Sequence, residues 1–371
     1  MRLLVIAQAY PTPEAPATLR YVHTRNLYYA SHGVEVDVVN FSALENYTID
    51  GIAVYTAHTI KKQLKAGHYA LLVSHAPNVR NHYRFIRRYE KLFPGILFFF
   101  HGHEVLPINK VYPAPYPYVQ KQRTLRYYLQ NSYDTIKLWV WRRYFNRKIH
   151  KIHLIFVSKS LMGEFTHWVR PKNALLRERA YVIYNSVGEA FEQLNWQSGA
   201  DKKYDFVTIR SFLDGASYSV DIVNNLAWKH PEFKFLLYGK GTFFDHYEKA
   251  PNLEWRAEQL DHEHIVNVLN TCRCALMPTR RDTQGVMSCE MATFGMPLIT
   301  SDIPVCHEIF DSFDNVAFID NTTIDKVDLK AILDGLEGRQ PVPKNRKYSY
   351  SNVCGQELEI IKGIIDEQSG C

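Results

Sequence analysis

Residues 278–297 read PTRRDTQGVMSCEMATFGMP. The apolar run Cys274-Ala275-Leu276-Met277 stops at Pro278, so a buried strand ends there. Thr279 to Thr283 are all charged or hydroxylic and read as an exposed loop. From Gln284 a helical pattern begins, with Val286, Met287, Cys289, Met291 and Ala292 on one apolar face. Gly295-Met296-Pro297 stops that helix, and Leu298-Ile299-Thr300 starts another strand. The order strand, polar loop, helix, strand belongs to an open parallel sheet, in which ligands bind beyond the carboxyl ends of the strands.

The loop and helix carry two carboxylates, Asp282 and Glu290, around Gly285. Glycine lets a backbone approach a ligand closely. The first amides of a helix lack internal partners and carry the positive end of its dipole, so the turn at Gly285, Val286, Met287 and Ser288 can hold a phosphate. Carboxylates before and inside the helix can accept hydrogen bonds from sugar hydroxyls beside that phosphate. Such a cradle suits a nucleotide sugar. The plainer alternative is a capped helix, with Asp282 near its start and Glu290 solvated.

The stretch resembles the carboxylate–seven–carboxylate motif of the family-4 retaining glycosyltransferases (group 1 glycosyltransferases). Asp282, Thr283, Gln284 and Gly285 stand where that family has Glu, any residue, Phe and Gly, and Cys289-Glu290-Met291-Ala292 follows at the family's spacing. The helix stop, Leu298-Ile299-Thr300-Ser301-Asp302 and Glu308 match as well. Asp282 departs from the family's Glu and shortens the reach toward a donor sugar. The resemblance implies an α/β protein of the GT-B fold, two Rossmann-like domains facing a central cleft.

A chain of 371 residues exceeds the usual size of one core. The expected domains are 1–195, acceptor-binding, and 203–345, nucleotide-sugar-binding, with 346–371 a helix that by resemblance crosses back to the first. Polar residues between Phe191 and Lys203 mark the boundary. Apolar content of 46% is ordinary for a globular protein. Cys272, Cys274, Cys289, Cys306, Cys354 and Cys371 form no CxxC pair and have no metal-ligand spacing, and read as reduced thiols. No segment approaches the ~20 apolar residues of a membrane span. Leu3 to Ala7 is too short for a signal sequence and reads as a first strand.

Along the chain, Arg2–Ala7, a helix with Val22, Leu27 and Ala30 on its apolar side, and Val34–Phe41 make a Rossmann-like βαβ opening. Its turn holds Ala15-Pro16-Ala17 where the family has a Gly-Gly pair. The strand Ile96–Phe100 runs into His101-Gly102-His103, poor metal spacing but well placed to meet a substrate. The resemblance puts His101 near the donor sugar and the reacting centre. Residues 121–151 hold Lys121, Arg123, Arg126, Lys137, Arg142, Arg143, Arg147, Lys148 and Lys151 against one acid, Asp134, interleaved with Trp and Tyr. That composition suits the face of an anionic bilayer, a solvated helix, or nucleic acid; for a glycosyltransferase the bilayer is the expected partner and nucleic acid is not.

In the second half, Tyr204–Arg210 reads as a strand ending in arginine. By resemblance Arg210 grips the donor diphosphate, and the bidentate guanidinium suits that task. The family's following Lys is missing; Asp214-Gly215-Ala216 stands there, so Arg280 or Arg281 is the candidate diphosphate support. Gly239-Lys240-Gly241 resembles the loop that faces the nucleotide. The resemblance implies sugar transfer, with retention, from a nucleotide sugar to a hydroxyl of a glycan or lipid-linked glycan. His101, Arg210 and Asp282 would act at the reacting end and Glu290 would hold the ribose. Fixed positive groups would replace a metal or other cofactor. A cytoplasmic protein, peripheral on the inner membrane face and serving bacterial cell-surface polysaccharide synthesis, is the expectation. The alternatives are a binding subunit that has lost turnover and a sugar-nucleotide epimerase.

Overall fold

The computed structural model describes residues 1–371 apart from 16–17, 121–123, 200, 261 and 370–371. Pro16 and Ala17 of the first turn, Lys121 and Arg123 of the basic stretch, and Cys371 therefore lie outside the described residues. The other five cysteines are buried free thiols.

The chain forms two compact units: Met1–Pro107, Ser132–Asn185 and Ser351–Cys371 make the first, and Ile108–Asn131 with Ser186–Tyr350 the second. This differs from an unbroken first domain over 1–195. Residues 108–131 join the second unit because Tyr116 is buried in its core and donates to Asp221 Oδ1 at 2.8 Å, while Tyr118 donates to Asp214 Oδ1 at 2.7 Å. Two phenols in a run of prolines are a weak sequence signal for that anchoring.

In the first unit the strands are β1 Arg2–Ala7, β2 Glu35–Asn40, β3 Tyr47–Ile49, β4 Ile52–Tyr55, β5 Leu71–His75, β6 Gly95–Phe100, β7 Ile152–Phe156 and β8 Ala180–Val182. They lie in the order β3-β4-β2-β1-β5-β6-β7-β8. All neighbouring pairs are parallel except the hairpin β3–β4. Asp50-Gly51, with φ of 48° and 81°, turns that hairpin in the left-handed conformation two-residue loops favour. The helix Arg20–Ser31 buries Val22 and Tyr29 but also His23, Arg25 and Asn26, while Ala30 is exposed. Its inward face is thus mixed: Val22 and Leu27 pack on the core as expected, Ala30 does not, and three polar side chains turn inward with them. The final helix, Tyr350–Ser369, seats Val353, Leu358, Ile361 and Ile364 in the core of this unit.

The second unit holds β9 Tyr204–Phe212, β10 Phe235–Lys240, β11 Leu253–Arg256, β12 Cys272–Leu276, β13 Leu298–Ser301 and β14 Val316–Ile319. Their order is β11-β10-β9-β12-β13-β14, all parallel. The strand order reverses between β9 and β12. Crevices at such reversals, beyond the carboxyl ends, are where open α/β sheets take ligands.

Candidate functional site

Both strands at the reversal deliver charged side chains. Arg210 lies near the end of β9 and is 8% exposed. Its Nη2 donates to the Pro278 carbonyl at 2.7 Å, and its guanidinium lies 5.4 Å from the Tyr218 ring centre. Its buried Nε has no partner among the described residues. Burial pulls the Arg210 pKa below that of a free guanidinium, and the Asp282 carboxylate works against that shift.

After β12 the chain runs through the loop to the helix Val286–Phe294. Gly285 precedes it at φ 72°, a conformation glycine adopts without strain, and no side chain caps the helix. The first intrahelical bond is Cys289 N–H to the Gly285 carbonyl, so the amides of Val286, Met287 and Ser288 precede the ladder. Val286 is exposed and Met287 partly so, whereas Cys289, Met291 and Ala292 are buried. The tip of the helix thus faces out of the core that holds its body. Asp282, Gln284, Gly285, Ser288, Thr300 and Cys306 surround a small cavity of about 10 Å³ there, room for about one water.

The two carboxylates take different roles. Asp282 Oδ1 accepts from the Thr283 amide at 2.8 Å and the Gln284 amide at 3.2 Å, which shapes the turn and leaves Oδ2 for another donor. Glu290 is 3% exposed, not solvated. Its Oε1 accepts from the Gly188 amide at 3.1 Å, and burial pushes its pKa up to about 7.

Three groups expected at the donor make protein contacts of their own. Arg280 is bound at both guanidinium tips by Asp221, at 2.7 and 2.5 Å, so its charge is already matched. Arg281 lies 5.6 Å from the Tyr112 ring centre. At Gly239 a Cβ would collide with the Arg210 carbonyl oxygen and approach Leu213 Cδ2 to 2.7 Å, and at Gly241 it would come within 3.1 Å of Asp214 Oδ2. These glycines let the backbone after β10 close against β9. Asp214, where the family has Lys nearby, accepts from Thr242 N–H at 2.9 Å and from Tyr118. With Pro113, Pro115, Thr242 and His246 they line a cavity of about 260 Å³.

In the first unit His101 follows β6 and is partly exposed. Its ring lies 4.7 Å from that of Tyr21, its Nε2 is 3.4 Å from His75 Nδ1, and the Asn185 side chain hydrogen-bonds its imidazole. Glu104 fixes the backbone there, accepting from the His101 amide at 3.2 Å and the Gly102 amide at 2.6 Å. Burial, then the Arg25 charge, holds the His101 pKa well below the usual imidazole value. His75 was legible only as the polar end of a strand, and Asn185 only as part of Tyr181–Val187, which resembles the family's Val-Ile-Pro-Asn-Gly-Val.

The basic helix Thr124–Arg147 is mixed. Arg142, Arg143 and Arg147 are exposed, with Trp139 60% and Ile136 59% exposed beside them. Lys148 pairs with Glu90 at 2.9 Å, and Lys137 is buried against Asp134, so neither side chain is free of a carboxylate. Among the described residues no helix is long and apolar enough to cross a membrane.

No curated protein sequence matches the chain. Solved structures do. Sucrose-phosphate synthase from Thermosynechococcus elongatus superposes with a TM-score of 0.67 at 12% identity, covering 99% of each chain. A glycosyltransferase from Rickettsia africae gives 0.68 at 10% identity over 98% of each. WaaG, a glycosyltransferase involved in lipopolysaccharide biosynthesis, gives 0.66 at 15% identity over 98% of this chain and 100% of that one. At such identity the likeness is one of fold, the two-domain GT-B fold. Residues 205–333, which include Arg210, the uncapped helix and both carboxylates, match the family described as glycosyl transferases group 1. Within this GT-B chain, that stretch is therefore a group 1 glycosyltransferase domain.

Proposed function

We propose that the protein transfers a sugar, with retention, from a nucleotide sugar to a hydroxyl of a glycan or lipid-linked glycan, in bacterial cell-surface polysaccharide synthesis. The observation that carries this is the buried, unpartnered Arg210 Nε at the strand reversal that also bears the uncapped helix. A leaving diphosphate supplies the missing acceptor. Charge that develops on it in the transition state is met by groups already in place. Asp282 Oδ2 accepts from donor-sugar hydroxyls, Glu290 from the ribose, and His101 contacts the sugar near its reacting carbon. The charge supplied by Arg210 and the helix tip does the work a metal would do. Phosphate binding at Arg280 would require breaking its pair with Asp221.

A binding subunit without turnover is the second reading, favoured by Asp214 standing where a lysine would clamp the diphosphate. Hydrolysis or transfer of UDP-, GDP-, ADP- and dTDP-sugars by wild type and Glu290→Ala separates the two. Transfer lost on substitution supports the enzyme; binding without turnover in wild type supports the subunit.

The exposure of Arg142, Arg143, Trp139 and Ile136 supports an anionic lipid surface as partner, and a site of action on the inner membrane face belongs to the same proposal. Flotation with phosphatidylglycerol vesicles should fall in Arg142→Ala/Arg143→Ala. Unchanged flotation removes the membrane from the proposal.

A further inference from the structure

We propose that Asn185, held by a buried Arg25–Glu357 pair, is the positioning residue for the His101 imidazole. The proposal rests on the reading of His101 as a substrate-contacting group.

The observations form one chain of bonds within the first unit. Glu357 lies on the final helix and is fully buried; it accepts from Arg25 Nε at 2.8 Å and from the Tyr29 hydroxyl at 2.7 Å. Arg25, 1% exposed, donates Nη1 to the Tyr21 carbonyl at 3.1 Å and Nη2 to Asn185 Oδ1 at 3.0 Å. Asn185 hydrogen-bonds His101, and the Tyr21 ring packs against it. One guanidinium thus bonds two residues that touch the imidazole, Asn185 by its side chain and Tyr21 by its carbonyl. The bond from Arg25 also orients the Asn185 amide, since only its oxygen can accept from an arginine. On the other side stands His75, fully buried, its ring stacked on Phe99 at 4.3 Å.

Stability alone is a poor explanation for this arrangement. A buried ion pair often does no better than apolar side chains of the same volume, because desolvation offsets the attraction. What the charges add is direction. Arg25 makes fixed, fork-shaped bonds, and the last of them ends on the residue that touches His101. A histidine held neutral needs such a partner to set which nitrogen carries its proton.

The test uses the full chain with ¹⁵N-labelled histidine. In Asn185→Leu the His101 ring nitrogens should move from a single-tautomer pattern toward a mixture, and the melting temperature should fall because Arg25 Nη2 loses its buried acceptor. Turnover of a nucleotide sugar should lose roughly 10-fold or more in kcat with KM nearly constant, the cost of a misplaced group. In a His101→Ala background the same change should cost nothing further. Arg25→Lys keeps a cation beside Glu357 but loses the fork, and should shift the His101 signals the same way; it decides the matter if Asn185→Leu does not fold. Unchanged ring signals, or a full kcat loss in the His101→Ala background, overturns the proposal. If wild type turns over no nucleotide sugar, the functional reading fails while the ring signals still decide the positioning.

Discussion

Each unit buries an arginine near the carboxyl ends of its strands, and the two are used in opposite ways. Arg25 in the first unit donates through Nε, Nη1 and Nη2, to Glu357, Tyr21 and Asn185. Arg210 in the second donates through Nη2 to a carbonyl and leaves Nε buried without a partner among the described residues. Buried polar groups are mostly satisfied, and among the described residues Arg210 Nε is one of several buried side-chain atoms that are not; it sits at the strand reversal. A satisfied arginine is a fixture that holds its neighbours. In the proposed function an unsatisfied one beside an open helix tip is half of a contact, and the leaving diphosphate is the other half. The carboxylates differ too: Glu357 meets the full charge of Arg25, whereas burial pushes Glu290, which accepts from the Gly188 amide, toward its neutral form.

The largest effect should come from breaking the fixture. Arg25→Ala leaves Glu357 buried and unpaired and should cost about 3–5 kcal/mol of stability. Urea unfolding of the variant measures it; a loss well under that range would mean water or another cation replaces the guanidinium.

Glu290 comes next. Its folded pKa of about 7 lies above the ordinary carboxylate value, so the folded state binds the extra proton. Stability from this group is present below the unfolded pKa and is lost as pH rises through about 7. The loss should reach about 3 kcal/mol at most. Melting curves from pH 5 to 8 should show it, and Glu290→Gln should flatten the slope. Over the same range a ligand with hydroxyls on Glu290 should bind more tightly as pH rises, because the ionised carboxylate is the better acceptor.

Arg210→Ala should leave the fold intact and weaken nucleoside diphosphate binding by about 1.5–3 kcal/mol, the worth of hydrogen bonds to a charged group. Calorimetry with UDP, GDP, ADP and dTDP tests it. Equal affinity in the variant would place the anion elsewhere and erase the contrast between the two arginines.

The smallest change sharpens the contrast. Asp221→Asn should cost no more than about 1 kcal/mol of stability, since the Arg280 pair is only partly buried. Nucleoside diphosphate affinity should rise if the released Arg280 reaches the phosphate and stay level if Tyr116 and Ala216 keep it in place.

Much of the second unit was legible because its elements obey local rules. Val316–Ile319 and the helix around Glu290 follow from apolar runs and from Gly and Pro stops. The first unit was less so. The hairpin at Asp50-Gly51 carries a recognisable turn signal that alternation around it is too short to support. The helix Arg20–Ser31 misleads, because periodicity assumes an apolar inward face and this one turns His23, Arg25 and Asn26 inward.

The sequence by itself determined the parallel strands of the second unit, the loop with its two carboxylates, and the arginine at the end of β9. These depend on residues near one another in the chain, where propensity and turn chemistry act. Tertiary structure alone decided that Arg280 is consumed by Asp221, that Glu290 is buried, and that Arg25 meets Glu357, 332 positions away in sequence. The value of a charge depends on its partner and on how far water is excluded, and neither is written in the local sequence.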